Sequence, residues 1–98
     1  MPSIELTDQV AKDFKRVIDH LLRHESSDAQ SRIEEILQAI HVLEANPRIG
    51  KSVGRSEREL VIGKRSHGYV ALYRYIAEMD LVLVLAIRAQ REAGHADA

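Results

Sequence analysis

The sequence contains no cysteine, and its longest apolar run is seven residues. Without cysteine the chain can form neither a disulfide nor a zinc site with thiolate ligands, which suits a reducing compartment. A membrane helix needs roughly 20 apolar residues, and Glu5 and Asp8 lie where a secretory signal would be basic and then apolar. We therefore expect a soluble, cytoplasmic protein with no membrane partner.

At 98 residues, the chain has the length of one domain. A domain of this size buries about 60–65% of its unfolded surface, which is enough to fold alone. No repeat, linker or low-complexity tract divides it. We expect residues 1–98 to form a single domain.

The apolar run covers residues 81–87, with the sequence LVLVLAI. A strand exposed on one face would alternate apolar with polar residues, so the run predicts a strand covered on both faces, in the middle of a sheet. Arg88, Arg91 and His95 follow this rigid element. A rigid element suits a binding or catalytic site, although the same residues could simply solubilise the segment.

The first half of the chain predicts one strand and two helices. Residues 3–7 alternate polar with apolar side chains, as a short strand does. Apolar residues at steps of three and four predict a helix over residues 8–24, capped by Thr7 or Asp8. A second helix should begin with a capping box at Ser27 and end at Asn46–Pro47, giving an antiparallel hairpin. The two apolar stripes are Val10, Ala11, Phe14, Val17, Ile18, Leu21 and Leu22, and Ala29, Ile33, Ile36, Leu37, Ile40 and Leu43. Asp13 is expected off the stripe.

The second half predicts a loop and then three strands. Residues 48–56 are rich in glycine, serine and cations, which is typical of a loop. Strands are expected over residues 59–63, 69–76 and 81–87, with a basic turn before the second. Short connections make these three strands an antiparallel meander. The expected fold is α+β, with the N-terminal strand, the helix hairpin and the meander in that order and the helices packed on one face of the sheet.

Charge is distributed unevenly along the chain. Residues 1–47 hold five Lys and Arg against nine Asp and Glu, whereas residues 48–74 hold seven against two. A basic region on an otherwise acidic chain favours a polyanion or an acidic partner, although charged loops are usually only solvated. The cations of the predicted sheet are Lys64, Arg65, Arg74, Arg88 and Arg91, with His67 and His95 as the nearby imidazoles.

These side chains allow more than one chemistry. Guanidinium groups on a sheet face could hold phosphates and stabilise the charge that develops when a ribose 2′-hydroxyl attacks its own phosphate. Tyr69, Tyr73 and Tyr75 share one face of their strand and could stack on bases, although tyrosines in such positions more often belong to the core. His20 and His24 are spaced like a metal pair, but a third ligand is missing. We expect no metal and no cofactor.

The order of elements, together with several blocks of residues, resembles the RelE/ParE superfamily of type II toxin–antitoxin toxins, often called plasmid stabilisation proteins. The blocks are RELVIG at 58–63, GYVALYRY at 68–75 and VLAIRAQREAG at 84–94, and Asn46–Pro47 followed by Gly50 matches a further recurrent feature. The likeness covers nearly the whole chain, and its most specific part is the C-terminal block.

This resemblance implies a growth-inhibiting toxin that a cognate antitoxin holds inactive in a hetero-oligomer. RelE-like members cleave messenger RNA in the ribosome, whereas ParE-like members poison DNA gyrase and need no nuclease site. Val70 stands where the nuclease members usually carry an arginine, which places the chain closer to the ParE-like branch. Arg88 matches the arginine at the end of the last strand, and His95 stands where the family usually has a tyrosine.

We therefore expect a gyrase inhibitor in which Lys64, Arg65, Arg88 and Arg91 bind the target or its phosphates. The alternative is a ribosome-dependent mRNA endoribonuclease in which His95 is catalytic and transfers a proton. A third reading is a degenerate, non-toxic member that only binds its antitoxin. Whether the chain is an enzyme is left open by its residues.

Overall fold

The structure is a computed structural model that describes residues 1–24, 29–63 and 68–89. In chain order its elements are β1 (Ser3–Leu6), α1 (Asp8–His24), α2 (Ala29–Ala45), β2 (Lys51–Val53), β3 (Glu57–Ile62), β4 (Tyr69–Ile76), a 3₁₀ turn (Ala77–Met79) and β5 (Leu81–Ala89). The strands form one sheet in the order β1-β5-β4-β3-β2. β1 runs parallel to β5, and the other neighbouring strands are antiparallel.

The predicted α+β fold is confirmed: both helices pack against one face of a sheet that contains the β3-β4-β5 meander. The apolar run 81–87 lies inside the sheet, between β1 and β4. The prediction that residues 48–56 form only a loop is wrong, because they contain β2, which pairs with β3 and widens the sheet. The predicted capping box at Ser27 lies outside the described residues.

The hydrophobic core lies between the helices and the sheet. Its buried side chains are Val10, Val17, Leu21, Ala29, Ile36, Ile40 and Leu43 from the helices and Ile62, Tyr69, Ala71, Tyr73, Val82, Val84 and Ile87 from the strands. Four predicted stripe members do not belong to it: Ala11 is exposed, Ile18 is half-buried outside the cluster, and Leu22 and Leu37 are 59% and 51% exposed. Neighbouring residues of a helix are about 100° apart around its axis, so each of these leucines lies on the flank of its stripe.

Helix α1 begins with a cap that also contacts β5. The Thr7 hydroxyl accepts a hydrogen bond from the Val10 N–H at 3.3 Å, so Thr7 acts as the predicted N-cap. The same hydroxyl donates to the Leu85 carbonyl at 3.3 Å, and the Thr7 N–H donates to the Val84 carbonyl at 3.2 Å. The residue that starts the helix therefore also fixes it to the sheet.

Strand β5 contains a β-bulge at Leu85. Leu72 of β4 pairs with Ala86, but the next residue, Tyr73, pairs with Val84, so Leu85 has no partner on β4. A bulge of this kind adds one residue to one strand and bends it. The Leu85 carbonyl is the group that the Thr7 hydroxyl binds.

Asp13 connects α1 to the stretch of β5 that follows the bulge. The side chain is buried, and its Oδ2 accepts a hydrogen bond from the Ile87 N–H at 3.0 Å. Its Oδ1 accepts a second one from Gln9 Nε2 at 2.9 Å. The pairing of β1 with β5 ends at Val84, so Asp13 supplies the acceptor that a strand would otherwise provide. The prediction that Asp13 lies off the buried stripe is therefore wrong.

We expect Asp13→Ala to lower the free energy of unfolding by about 2–3 kcal/mol, because it leaves the buried Ile87 N–H without an acceptor. Asp19→Ala, on the exposed side of the same helix, is the control and should change stability by no more than about 0.5 kcal/mol. Urea denaturation of both variants measures the difference. Equal losses in the two variants would contradict the role given to Asp13.

Gly50 holds the segment after α2 against the sheet. Its N–H donates to the buried Tyr73 hydroxyl at 2.8 Å. A Cβ on Gly50 would lie 2.7 Å from Tyr73 Cε1 and 2.8 Å from the Glu59 carbonyl oxygen, so only glycine fits there. Arg58 Nη1 donates to the carbonyls of Gly50 and Arg48 at 2.8 and 3.2 Å. These bonds give β2 the position from which it pairs with β3.

Tyr73→Phe should lower the free energy of unfolding by about 1–3 kcal/mol, since the Gly50 N–H would keep its burial and lose its acceptor. Tyr75→Phe is the matched control on the same strand, because its hydroxyl is bonded at the exposed surface, and we expect a smaller loss there. Thermal or urea unfolding compares the two variants. A Tyr73 variant as stable as the wild-type protein would show that water replaces the hydroxyl.

Candidate target-binding surface

The face of the sheet turned away from the helices is here called the open face. The strand registers, together with the side-chain alternation, assign its residues. They are Ser3 and Glu5 of β1, Lys51 and Val53 of β2, Glu57, Glu59 and Val61 of β3, Val70, Leu72, Arg74 and Ile76 of β4, and Leu81, Leu83, Ala86 and Arg88 of β5.

Arg88 is the one predicted site residue that the structure describes. It is exposed near the end of β5 and pairs across the strands with Val70 of β4. The other predicted site residues, Lys64, Arg65, Arg91 and His95, lie outside the described residues. Their roles remain predictions.

Three strand ends meet beside Arg88. Ile62, the last residue of β3, is the register partner of Tyr69, the first residue of β4. Tyr69 is in turn the partner of Ala89, the last residue of β5. The chain therefore enters the segments 64–67 and 90–98, which hold the remaining predicted site residues, from the same end of the sheet.

The bulge at Leu85 decides on which face Arg88 lies. Val84 faces the helices, and an unbroken alternation would turn Arg88, four residues later, to the same side. The extra residue shifts the alternation by one. Ile87 consequently enters the core, and Arg88 lies on the open face.

The neighbours of Arg88 on this face are apolar. Val70 lies opposite it on β4, and Val61, the partner of Val70 on β3, is 56% exposed. Among the described residues, this row offers one guanidinium beside an aliphatic surface and no acid–base group. Such an arrangement can bind an anionic group of a partner, with apolar contacts beside it.

The three tyrosines of β4 face the helices and not the open face. Tyr69 and Tyr73 are 8% and 0% exposed and belong to the core cluster. The alternative in which they stack on bases is therefore wrong for these two, and their placement in the core is confirmed. Tyr75 is half-buried, and its hydroxyl bonds Asp80.

A second group of polar residues lies at the other end of the sheet. The Tyr75 hydroxyl donates to Asp80 Oδ1 at 2.6 Å, and the Arg48 guanidinium lies 4.9 Å from the centroid of the Tyr75 ring. The hydrogen bond to Asp80 favours the protonated phenol and raises the pKa of Tyr75, while Arg48 opposes the rise. Asp80 has φ 49°, in the left-handed region, where the chain turns into β5. The group ties this turn to the segment after α2.

Asp80→Asn should lower the pKa of Tyr75, because a neutral amide no longer repels the phenolate and accepts a weaker hydrogen bond. Asparagine tolerates the left-handed conformation, so the turn should persist. An ultraviolet titration of the tyrosines measures the change, and Tyr75→Phe identifies which transition belongs to this residue. An unchanged titration would mean that Asp80 does not control Tyr75 in solution.

Within residues 1–24, 29–63 and 68–89, no three side chains of the kinds that bind metals are placed to hold an ion. His20 lies exposed on α1, and the side chain of His24 is outside the described part. No helix among the same residues is long and apolar enough to span a membrane.

A sequence model of one protein family matches most of the chain. The family is described as the ParE toxin of the type II toxin–antitoxin system parDE, and the match covers residues 4–94. This chain belongs to the ParE toxin family. The predicted membership of the RelE/ParE superfamily is confirmed. Toxin RelE3 of Caulobacter vibrioides is 30% identical over 92 residues, which are 94% of this chain and 98% of that protein.

Solved structures of both branches share the fold. A chain of the chromosomal ParDE system from P. aeruginosa gives a TM-score of 0.75 at 22% identity, covering 91% of this chain and 96% of that one. A chain of the intact E. coli RelBE toxin–antitoxin complex gives 0.66 at 17% identity, with the same coverage. Because ParE-type and RelE-type structures both match, the fold does not choose a target for this ParE-family toxin.

Sequence reasoning missed one residue that positions this surface. Asp13 lies three residues after Val10 and four before Val17, which is the spacing of the buried stripe. A carboxylate at that spacing indicates a buried acceptor, and its partner, the Ile87 N–H, adjoins Arg88. The bulge at Leu85 has no such signal, because every residue of the run 81–87 is apolar.

Proposed function

We propose that this ParE-family chain is neutralised by a cognate antitoxin and acts by binding and inhibiting DNA gyrase. The antitoxin partner is supported by family membership and by the structural neighbours, which include the ParDE system and the RelBE complex. The observation that favours binding over RNA cleavage is that the residue opposite Arg88 on β4 is a valine, Val70, and not an arginine. The resemblance to the RelE-like nucleases calls for an arginine at the position of Val70.

In this proposal, Arg88 binds an anionic group of the gyrase–DNA complex, and the aliphatic side chains of Val61 and Val70 pack against its surroundings. A guanidinium on a rigid strand is well suited to this, because its donors are held in a fixed orientation. The further cations proposed to take part in this binding are Lys64, Arg65 and Arg91. The binding needs no proton transfer, so His95 has no chemical role in it.

A second candidate is ribosome-dependent cleavage of messenger RNA, with His95 as the proton-transfer group. The specific observation in its favour is the 30% sequence identity to Toxin RelE3. Here Arg88 and the cations Lys64 and Arg65 would hold and stabilise the phosphate. A toxin that has lost its activity and retains only antitoxin binding is the third candidate.

Arg88→Ala should weaken inhibition of gyrase supercoiling by about ten- to a hundred-fold, the loss expected when a charged hydrogen-bond donor is removed. Growth arrest on expression of the toxin alone should fall in parallel. Lys15→Ala, an exposed cation of α1 away from the open face, is the control and should arrest growth like the wild-type chain. Circular dichroism of both variants verifies the fold.

His95→Ala separates the two active readings. Under the gyrase proposal it leaves growth arrest intact, with messages uncut and plasmid topology altered. If both Arg88→Ala and His95→Ala abolish cleavage of translated messages, the ribonuclease is the correct function. If the wild-type toxin arrests neither growth nor supercoiling and cuts no message, the non-toxic reading holds.

A further inference from the structure

Arg74 lies near the middle of the open face on β4, the central strand of the sheet. Its Nε is inaccessible to solvent and has no hydrogen-bond partner. Within the described part of the chain, the guanidinium makes no hydrogen bond or ion pair at all. A guanidinium carries five N–H donors, and leaving buried donors unsatisfied costs free energy. Among residues 1–24, 29–63 and 68–89, no anion therefore compensates the charge of Arg74.

The carboxylate best placed to pair with Arg74 is turned away from it. Glu57 is the register partner of Arg74 on β3, a position from which opposite charges commonly interact. Its Oε2 instead accepts a hydrogen bond from the Ser56 hydroxyl at 3.1 Å. Its Oε1 lies against Gly54, 3.0 Å from where a Cβ would be. Both carboxylate oxygens face the β2–β3 turn, which leaves Arg74 unmatched.

The surroundings of Arg74 are aliphatic. Leu72 and Ile76 flank it on β4, and Leu83 is its partner on β5; all three are half-buried. A nucleic acid would call for several cations that follow its phosphates. A single guanidinium among leucine and isoleucine side chains fits a protein segment that brings apolar contacts and one carboxylate.

We propose that an amphipathic segment of the antitoxin covers the open face and that an aspartate or glutamate of this segment pairs with Arg74. The identity of this occupant rests on the proposed function. The terminal Nη atoms of Arg74 have no partner among the described residues and, unlike Nε, are not buried, so they are open to an end-on, bidentate carboxylate. The surrounding aliphatic side chains exclude water from the pair and strengthen it.

The position of Arg74 also links antitoxin binding to neutralisation. Val70, the partner of Arg88, is four residues from Arg74 along β4, a distance of about 13 Å in a strand. A segment of ordinary helix or strand length that covers Arg74 therefore reaches the Arg88 surface as well. The antitoxin then blocks the target-binding surface directly.

The test compares Arg74→Met with the wild-type toxin, each bound to the antitoxin of the same operon. Methionine keeps an apolar stem and removes the guanidinium. We expect the affinity for antitoxin, measured by calorimetry, to fall by about ten- to a hundred-fold. The thermal midpoint of the free variant should be unchanged or higher, because an unsatisfied buried donor is removed. Lys15→Met is the control and should change neither quantity.

A charge exchange identifies the partner residue. Arg74→Glu should bind poorly to the wild-type antitoxin and better to the antitoxin variant in which the pairing acid is replaced by lysine. If Arg74→Met binds the antitoxin as tightly as the wild-type toxin does, the inference is overturned and the proposed function stays intact. The same conclusion follows if the variant keeps its antitoxin affinity and loses only its effect on gyrase or RNA. If the wild-type toxin fails to bind the antitoxin, the antitoxin part of the proposed function fails as well.

Discussion

The contact between the start of α1 and the bulged stretch of β5 sets the geometry of the whole molecule. Thr7 binds the Leu85 carbonyl and Asp13 binds the Ile87 N–H, beyond the point at which β1 ceases to pair with β5. The helix thus takes over hydrogen bonds that a neighbouring strand would make. Because Arg88 follows immediately on the opposite face, the same two side chains that fix the layers also fix the candidate surface.

The parts of the fold that depend on local patterns could be predicted. Helix α1 and strand β4 have the expected bounds, because a stripe of apolar residues or a bounded apolar segment is visible within one stretch of sequence. Strand β2 was missed, since its three residues carry no apolar pattern and form a strand only by pairing with β3. The bulge was missed for a similar reason: its existence depends on the register of β4 against β5.

For the site, position along the chain was predictable and orientation was not. The abrupt end of the apolar run indicated Arg88 as a site residue, but only the bulge places Arg88 on the open face. Arg74 was one of several cations in the sequence, and it stands out only because the oxygens of Glu57 face Gly54 and Ser56. Side-chain direction of this kind depends on turn geometry and on neighbours that sequence spacing does not specify.

The pairing of β1 with β5 joins the first and last strands of the described chain, and the Thr7–Leu85 bond spans a separation of 78 residues. Contacts between such distant residues form late, because the intervening chain must be ordered first. On the ribosome, α1 and α2 are made well before the interior strand on which α1 packs. A nascent chain that stops short of β5 has neither a closed core nor the Arg88 surface. The closed core and the Arg88 surface can therefore form only when synthesis of the domain is nearly complete.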